Sequence, residues 1–303
     1  MPGLPTALRC GVDASPRAAP RPGFPGAGDV AGPSPRSRWA GLAPRVPTRR
    51  PGSPPRGSRA ARSHARKGVS QMRESLFAGL PKYNEFYPDY TVMSMTEAYA
   101  GVAGGVLGSV FKCHEVLQPA DPDAGPSRSH YMSWATGLCL CPEVQRVSLV
   151  AVDNASGQLI GACVCEESSR AAEVAFPGAG APFGAAVDAL LGQLNNAYWG
   201  ADGALDRGEV LHVFVLGVVK EHWREGVAER LVRGAVERAG QLGFRGVSIE
   251  CTGAGSLALA RKLGFAEVAR VGYREFEHQG ARPFAHLAES GAEGCVMLVK
   301  ELD

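Results

Sequence analysis

No run of 18 or more apolar residues occurs in this chain of 303 residues, which excludes a transmembrane helix on the sequence alone. Acidic residues are nearly missing from the first 67 positions, where Asp13 and Asp29 stand against 12 Arg and Lys67. That stretch also holds 13 of the 22 Pro residues. The whole chain carries a net charge of +2, so the remainder is acidic, at −9. A segment such as Ser53–Arg59 has too few apolar side chains to offset the entropy of ordering its backbone, and no domain is expected there. The eight Cys lack the spacing of a zinc site: Cys139/Cys141 and Cys163/Cys165 are separated by one residue, not two to four. No metal is expected, and nothing suggests a secreted disulfide framework. In an extended strand Cys163 and Cys165 share one face, as small buried apolar side chains.

Residues 1–75 therefore read as a disordered Arg/Pro-rich leader. Three readings remain open: an organelle transit peptide, for chloroplast or mitochondrion, a solvated linker, or a start placed too far upstream, with Met72 and Met93 as later starts. Without a transit role the protein is expected in the cytoplasm. The basic charge could hold nucleic acid, but only Phe24 and Trp39 supply aromatic rings, so neither a nucleic-acid nor a membrane partner is expected. Were nucleic acid the ligand, deleting this leader would abolish its binding in a gel-shift assay while leaving the fold of the remainder intact.

From residue 88 onward the pattern changes. Tyr90–Met95 reads as a strand, and Thr96 with Glu97 starts a helix to about Lys112. Gly101, Gly104, Gly105 and Gly108 weaken that helix and imply close packing or a bend. Residues 119–128 read as a polar loop before an apolar segment at 131–140. Ser148–Asp153 and Leu159–Cys165 flank the turn-forming Asn154-Ala155-Ser156-Gly157 as a hairpin. Residues 168–180 read as a Gly/Pro-rich loop. In 183–198, Val187, Leu190, Leu191 and Leu194 fall at i, i+3, i+4, i+7, the spacing of one buried helix face. Strands at 210–219, 246–251, 265–273 and 295–300, with helices at 226–242 and 255–263, complete a mixed α/β sheet.

The strand ending at Val218-Val219 runs through Lys220–Glu225 into Gly226-Val227-Ala228-Glu229-Arg230-Leu231, the start of a long helix. Such a junction leaves main-chain N–H groups unpaired at the positive end of the helix dipole, a pocket suited to a pyrophosphate. Gly226 removes a side chain where phosphate oxygens approach, and Ala228 keeps the next facing position small.

This segment resembles the Arg/Gln-x-x-Gly-x-Gly/Ala acyl-CoA signature of the GNAT acetyltransferase superfamily, and Ala258–Phe265 resembles its helix-ending Lys-Leu-Gly-Phe motif. The resemblance spans 88–303. It implies the GNAT acyl-CoA N-acyltransferase fold, with a mostly antiparallel sheet splayed at the coenzyme-binding strand, and acetyl-CoA held by Leu216, Val218, Trp223, Arg224, Glu225, Gly226, Val227 and Ala228. Trp223 stands where Arg or Gln is usual, with Arg224 next, and Ala260 stands where many members carry a Tyr general acid. Phe111-Lys112-Cys113-His114-Glu115-Val116-Leu117 resembles the Phe-x-x-x-Glu-Pro-Leu stretch of insect-type arylalkylamine and dopamine N-acetyltransferases, whose Glu is the general base.

Acetylation of an amine requires the neutral form, because an ammonium, with a pKa of about 10.4, has no lone pair. Glu115 is the first candidate base. His212 is the second, on a strand whose alternation puts Phe214 and Leu216 on its face, at a position resembling one where vertebrate arylalkylamine acetyltransferases carry a catalytic His. Its other reading is a hydrogen-bonded core histidine. Ser256 is either a proton or hydrogen-bond donor or a helix cap near Gly255, and Tyr273 is either a substitute acid or packing. The N–H of Val218 or a neighbour is expected to hold the thioester carbonyl. The acidic body favours a cationic acceptor, and the resemblance implies acetyl transfer to a small primary amine of arylalkylamine or polyamine type. A peptide acetyltransferase and a non-catalytic acyl-CoA-binding module are the alternatives.

Overall fold

The computed structural model describes residues 82–169, 181–201 and 203–303. The leader at 1–75 and positions 170–180 of the Gly/Pro-rich loop lie outside the described residues. Eight strands form one sheet: β1 Asn84–Phe86, β2 Tyr90–Ser94, β3 Leu149–Asp153, β4 Leu159–Glu167, β5 Val210–Val218, β6 Gly246–Cys251, β7 Ala266–Gly272 and β8 Gly294–Glu301, in the order β1-β2-β3-β4-β5-β6-β8-β7. Every neighbouring pair is antiparallel except β5 and β6. A parallel pair needs a crossover, and α5, Val227–Gln241, provides it. The mixed α/β sheet expected from the sequence is therefore present, and it takes in β1 ahead of residue 88. No helix among the described residues is long and apolar enough to cross a membrane.

Helices cover both faces because both faces are apolar. On one side α5 buries Val227, Leu231, Val232, Ala235 and Ala239, while Glu229, Arg233 and Glu237 lie on its outer side. A fully buried Leu contributes about 1.5–3 kcal/mol, so this stripe anchors the helix to the sheet. α6, Ala254–Lys262, joins the same core through Ala260, Leu263 and Phe265. Cys163 and Cys165 lie here together, their sulfurs 3.6 Å apart. On the opposite side α1, Glu97–His114, and α2, Arg128–Leu140, cover the β2–β5 half. α4, Pro182–Trp199, covers the β7–β8 half through Val187, Leu190 and Leu194. The short α3, Pro142–Val147, leads into β3 and has no counterpart in the sequence reading.

The glycines of α1 mark a close helix crossing. A Cβ on Gly104 would lie 2.3 Å from the Thr136 Cα, and one on Gly108 would lie 2.4 Å from the Met132 Cα. The two backbones touch where side chains would normally separate them, while Gly101 faces open space. Close packing, and not a bend, is thus what the glycines provide at Gly104 and Gly108.

One irregularity sets up the site. Cys165 pairs with Val213 and Val164 with Val215, so Phe214 is an extra residue bulged out of β5. Phe214 and Val215 both pack toward α1 and α2, whereas Val213, Leu216 and Val218 pack with α5. The alternation expected for His212, Phe214 and Leu216 is broken by this bulge, and Leu216 lies on the face opposite His212.

Gly108→Ala should cost about 1–3 kcal/mol through overpacking of the α1–α2 crossing, whereas Gly101→Ala should be neutral or stabilising by up to about 1 kcal/mol through the helix propensity of Ala. Urea unfolding midpoints of the two variants against the parent check the opposite signs.

Candidate active site

Beyond Val213 no residue of β5 pairs with β6, whose end pairs instead with β8. The two strands diverge and leave a gap. Val219 donates its N–H to the Ile160 carbonyl at 2.9 Å, which makes that pair a hydrogen-bonded one on the β4 side. By antiparallel alternation the main-chain groups of Val218 and Leu216 then point away from β4, into the gap. A cavity of about 720 Å³ opens there, bounded by β5, the end of β6, the starts of α5 and α6, the end of α1, and α4.

At one end of this cavity lies the β5–α5 turn. Arg224 (φ 68°) and Gly226 (φ 82°) are both left-handed, so the turn curls its amides to one side. Gly226 is the N-cap of α5 and supplies no side-chain cap. None of the N–H groups of residues 224–229 donates to an acceptor among the described residues. A Cβ at Gly226 would meet only the Tyr90 hydroxyl, at 3.8 Å. These amides sit at the positive end of a 15-residue helix, an arrangement that holds an anion through main chain alone. The Trp223 indole Nε1 donates to the Val218 carbonyl at 2.8 Å, which fixes the turn onto the strand end. Leu216, Val218, Trp223, Arg224, Gly226, Val227 and Ala228 all line the cavity. Glu225 does not; its half-exposed carboxylate accepts from His222 Nδ1 at 2.8 Å.

Glu115, the residue that caps α1, lines the same cavity. Its Oε1 accepts the Leu117 N–H at 3.0 Å. Burial raises its pKa above the usual carboxylate range; the Leu117 and Val116 amides and the Thr252 hydroxyl pull the other way without cancelling the effect. A carboxyl raised by burial is better matched to taking a proton near neutral pH than an exposed one. Ser256 also lines the cavity, from the first turn of α6, and its hydroxyl donates to the Gly253 carbonyl at 3.0 Å. Glu115 and Ser256 are therefore brought to one space.

His212 is not. It is buried behind the cavity wall, its Nδ1 3.6 Å from Glu166 and its Nε2 4.0 Å from Glu250, with no hydrogen-bond partner on either nitrogen. Burial disfavours the imidazolium, but the two carboxylates outweigh burial and the repulsion from Arg207, and the net shift is upward. Tyr273 is fully buried, and its hydroxyl donates to the Thr252 carbonyl at 2.7 Å, a packing role.

Sequence reasoning missed several wall residues. Trp134, on α2, sits 5.8 Å from Phe111 and 5.9 Å from Phe214 between ring centroids, giving the cavity an aromatic side. His114 lies edge-on to Trp223 at 4.8 Å and joins the end of α1 to the turn. Glu250 also faces the cavity. Its signal was the alternation of Ser248 and Glu250 with apolar residues in β6, the mark of a strand face that is not wholly core.

The sequence model of the acetyltransferase (GNAT) family matches residues 113–265, half of the chain. Comparison with curated protein sequences finds no match. Among solved structures the chain is similar to a polyamine N-acetyltransferase of Drosophila melanogaster that forms N-acetylagmatine, with 20% identity, a TM-score of 0.54, and coverage of 71% of this chain and 100% of that one. It is similar to arylalkylamine N-acetyltransferase 2 of Aedes aegypti at 16% identity and TM-score 0.54, over 71% and 99% of the two chains. It is likewise similar to the C-terminal condensation domain of Ebony in complex with beta-alanyl-dopamine, at 17% identity and TM-score 0.57, over 70% and 99%. At these identities the likeness establishes a common fold.

The upward shift of Glu115 has a consequence for stability. Between its unfolded and folded pKa values the folded protein binds more protons than the unfolded chain, so stability falls as pH rises through that window. Glu115→Gln removes this loss, and its melting temperature should exceed that of the parent by more at pH 8 than at pH 4, as read by thermal denaturation.

Proposed function

The chain belongs to the GNAT acetyltransferase family, and from that membership we propose that it transfers the acetyl group of acetyl-CoA directly to the primary amine of a small molecule of arylalkylamine or polyamine type. The observation that carries this reading is the meeting, in one cavity, of the unpaired amides of 224–229, the open main chain of Leu216 and Val218, and the Glu115 carboxyl.

The residues present fit the coenzyme. The amides of the Arg224–Ala228 turn would hold its diphosphate, with Gly226 leaving the approach clear. The Val218 N–H, aimed into the gap, would donate to the acyl carbonyl oxygen as charge grows there. When bound, acetyl-CoA supplies an activated acyl thioester, whose thiol leaving group has a pKa of about 8.5 and needs little protonation. That last point bears on Ala260, which is fully buried in the core and offers no acid where relatives carry a Tyr. Ser256, in the first turn of the same helix, places a hydroxyl on the cavity wall.

Glu115 takes the proton from the acceptor ammonium, which frees the lone pair for attack. Phe111, Trp134 and Phe214 offer an apolar wall to the carbon skeleton of the amine.

Incubating the full chain with acetyl-CoA and a panel of arylalkylamines, polyamines and peptides, with free thiol release as the readout, should show turnover on the small amines. Glu115→Gln should lower kcat/KM by about 10²–10⁴ and remove the acidic limb of the pH–rate profile. Turnover on peptides alone, or an unchanged profile in the variant, would overturn the acceptor class or the base.

A further inference from the structure

A second carboxylate faces the cavity, with no Lys or Arg partner among the described residues. Glu250 is held in place from one side only: its Oε1 accepts from Asn195 Nδ2 at 2.6 Å. Asn195 is itself fixed on α4, donating to the Leu191 carbonyl at 2.9 Å and accepting from Trp199 Nε1 at 3.0 Å. The other oxygen, Oε2, stands 4.0 Å from His212 Nε2, beyond hydrogen-bond reach. His212 is nearer to Glu166, at 3.6 Å. No Lys or Arg among the described residues forms an ion pair with Glu115, Glu166 or Glu250. The side chains of Glu166 and Glu250 are only 5% and 11% exposed. One imidazole can balance one of these two carboxylates, which leaves a negative charge at the cavity wall that the protein does not neutralise. Such a charge is costly to keep out of water unless a counter-charge arrives.

We propose that Glu250 binds a second cationic group of the acceptor, so that the preferred acceptor is a short dication, a diamine or guanidino amine. One nitrogen reacts beside Glu115 while the other cation sits on Glu250 Oε2. This rests on the acyl-transfer reading above and narrows it. The spacing suits it. The hydroxyl of Thr252 bonds to Glu115, and Thr252 lies two residues beyond Glu250 on the same chain. Glu115, at the end of α1, and Glu250, near the end of β6, both line the cavity, so one short chain bearing two cations can reach both. The wall is apolar at Val187, Leu191 and Phe214, which suits intervening methylenes. Asn195 spends its amide protons on Glu250 and Leu191, so the carboxylate is oriented before the ligand arrives.

The test uses the full chain saturated with non-acetylated CoA and calorimetric titration with 1,4-diaminobutane and n-butylamine, repeated with Glu250→Gln and Glu250→Asp. The parent should bind the diamine about 10- to 100-fold more tightly, the range of one charge-assisted hydrogen bond. Glu250→Gln should bring that ratio to within about threefold of unity, and Glu250→Asp should restore part of it. The ratio of kcat/KM values with acetyl-CoA should move in parallel. A parent ratio near one, or an equal loss for both amines in Glu250→Gln, would overturn the role of Glu250. Acetylation of n-butylamine and phenethylamine with no diamine preference would do so while leaving the acyl-transfer reading in place. Acetylation of no amine would overturn both.

Discussion

The parting of β5 from β6 after Val213 is the constraint on which the rest of the site depends. A sheet normally consumes every main-chain donor and acceptor along its strands. Here the strands run parallel for four paired residues, after which β6 keeps only its β8 partner and β5 only its β4 partner. The groups left over are satisfied by whatever fills the gap. The indole of Trp223 takes one of them, the Val218 carbonyl. The others are oriented for a ligand without any side chain being committed. Main-chain recognition of this kind tolerates a change such as Trp223 in place of the customary Arg or Gln, because the holding groups belong to every residue type.

Two helix ends converge on that gap with opposite electrical character. The start of α5 presents unpaired amides and attracts an anion. The end of α1 presents Glu115, whose carboxyl burial keeps partly protonated toward higher pH than usual. Under the proposed reaction, a phosphate-bearing donor would meet the amides and a cationic acceptor the carboxyl. The aromatic wall at Phe111, Trp134 and Phe214 lies on the acceptor side with Glu115.

Much of this was legible in the sequence where the physics is local. The strand-to-helix junction at 218–231, the buried face of α4 at Val187, Leu190 and Leu194, and the hairpin about Asn154–Gly157 each follow from propensity and periodicity over a few residues. Glu115 and the turn residues other than Glu225 reached the cavity because they sit at element ends, where direction is set by the chain itself. The face of Leu216 was misread because a bulge at Phe214 adds one residue to the strand, and a pattern of period two carries no mark of such an insertion. His212 depended on that same alternation, and its surroundings, Glu166 from β4 and Glu250 from β6, come from strands about 40 residues away on either side. Trp134 was invisible as a site residue for the same reason, and Glu250 was marked only as a polar position on a strand face: the place of both in the cavity is a product of tertiary packing.

The bare contact between α1 and α2 at Gly104 and Gly108 reaches further than its own neighbourhood. Glu115 sits seven residues beyond Gly108 on a continuous helix, about two turns and ten ångströms along the axis. With backbone seated on backbone, α1 has no room to slide or roll, so the height of the carboxylate above the sheet is set at a seam that no ligand touches. Drift in sequence at those two small positions would therefore shift the distant carboxylate as well as loosen the crossing.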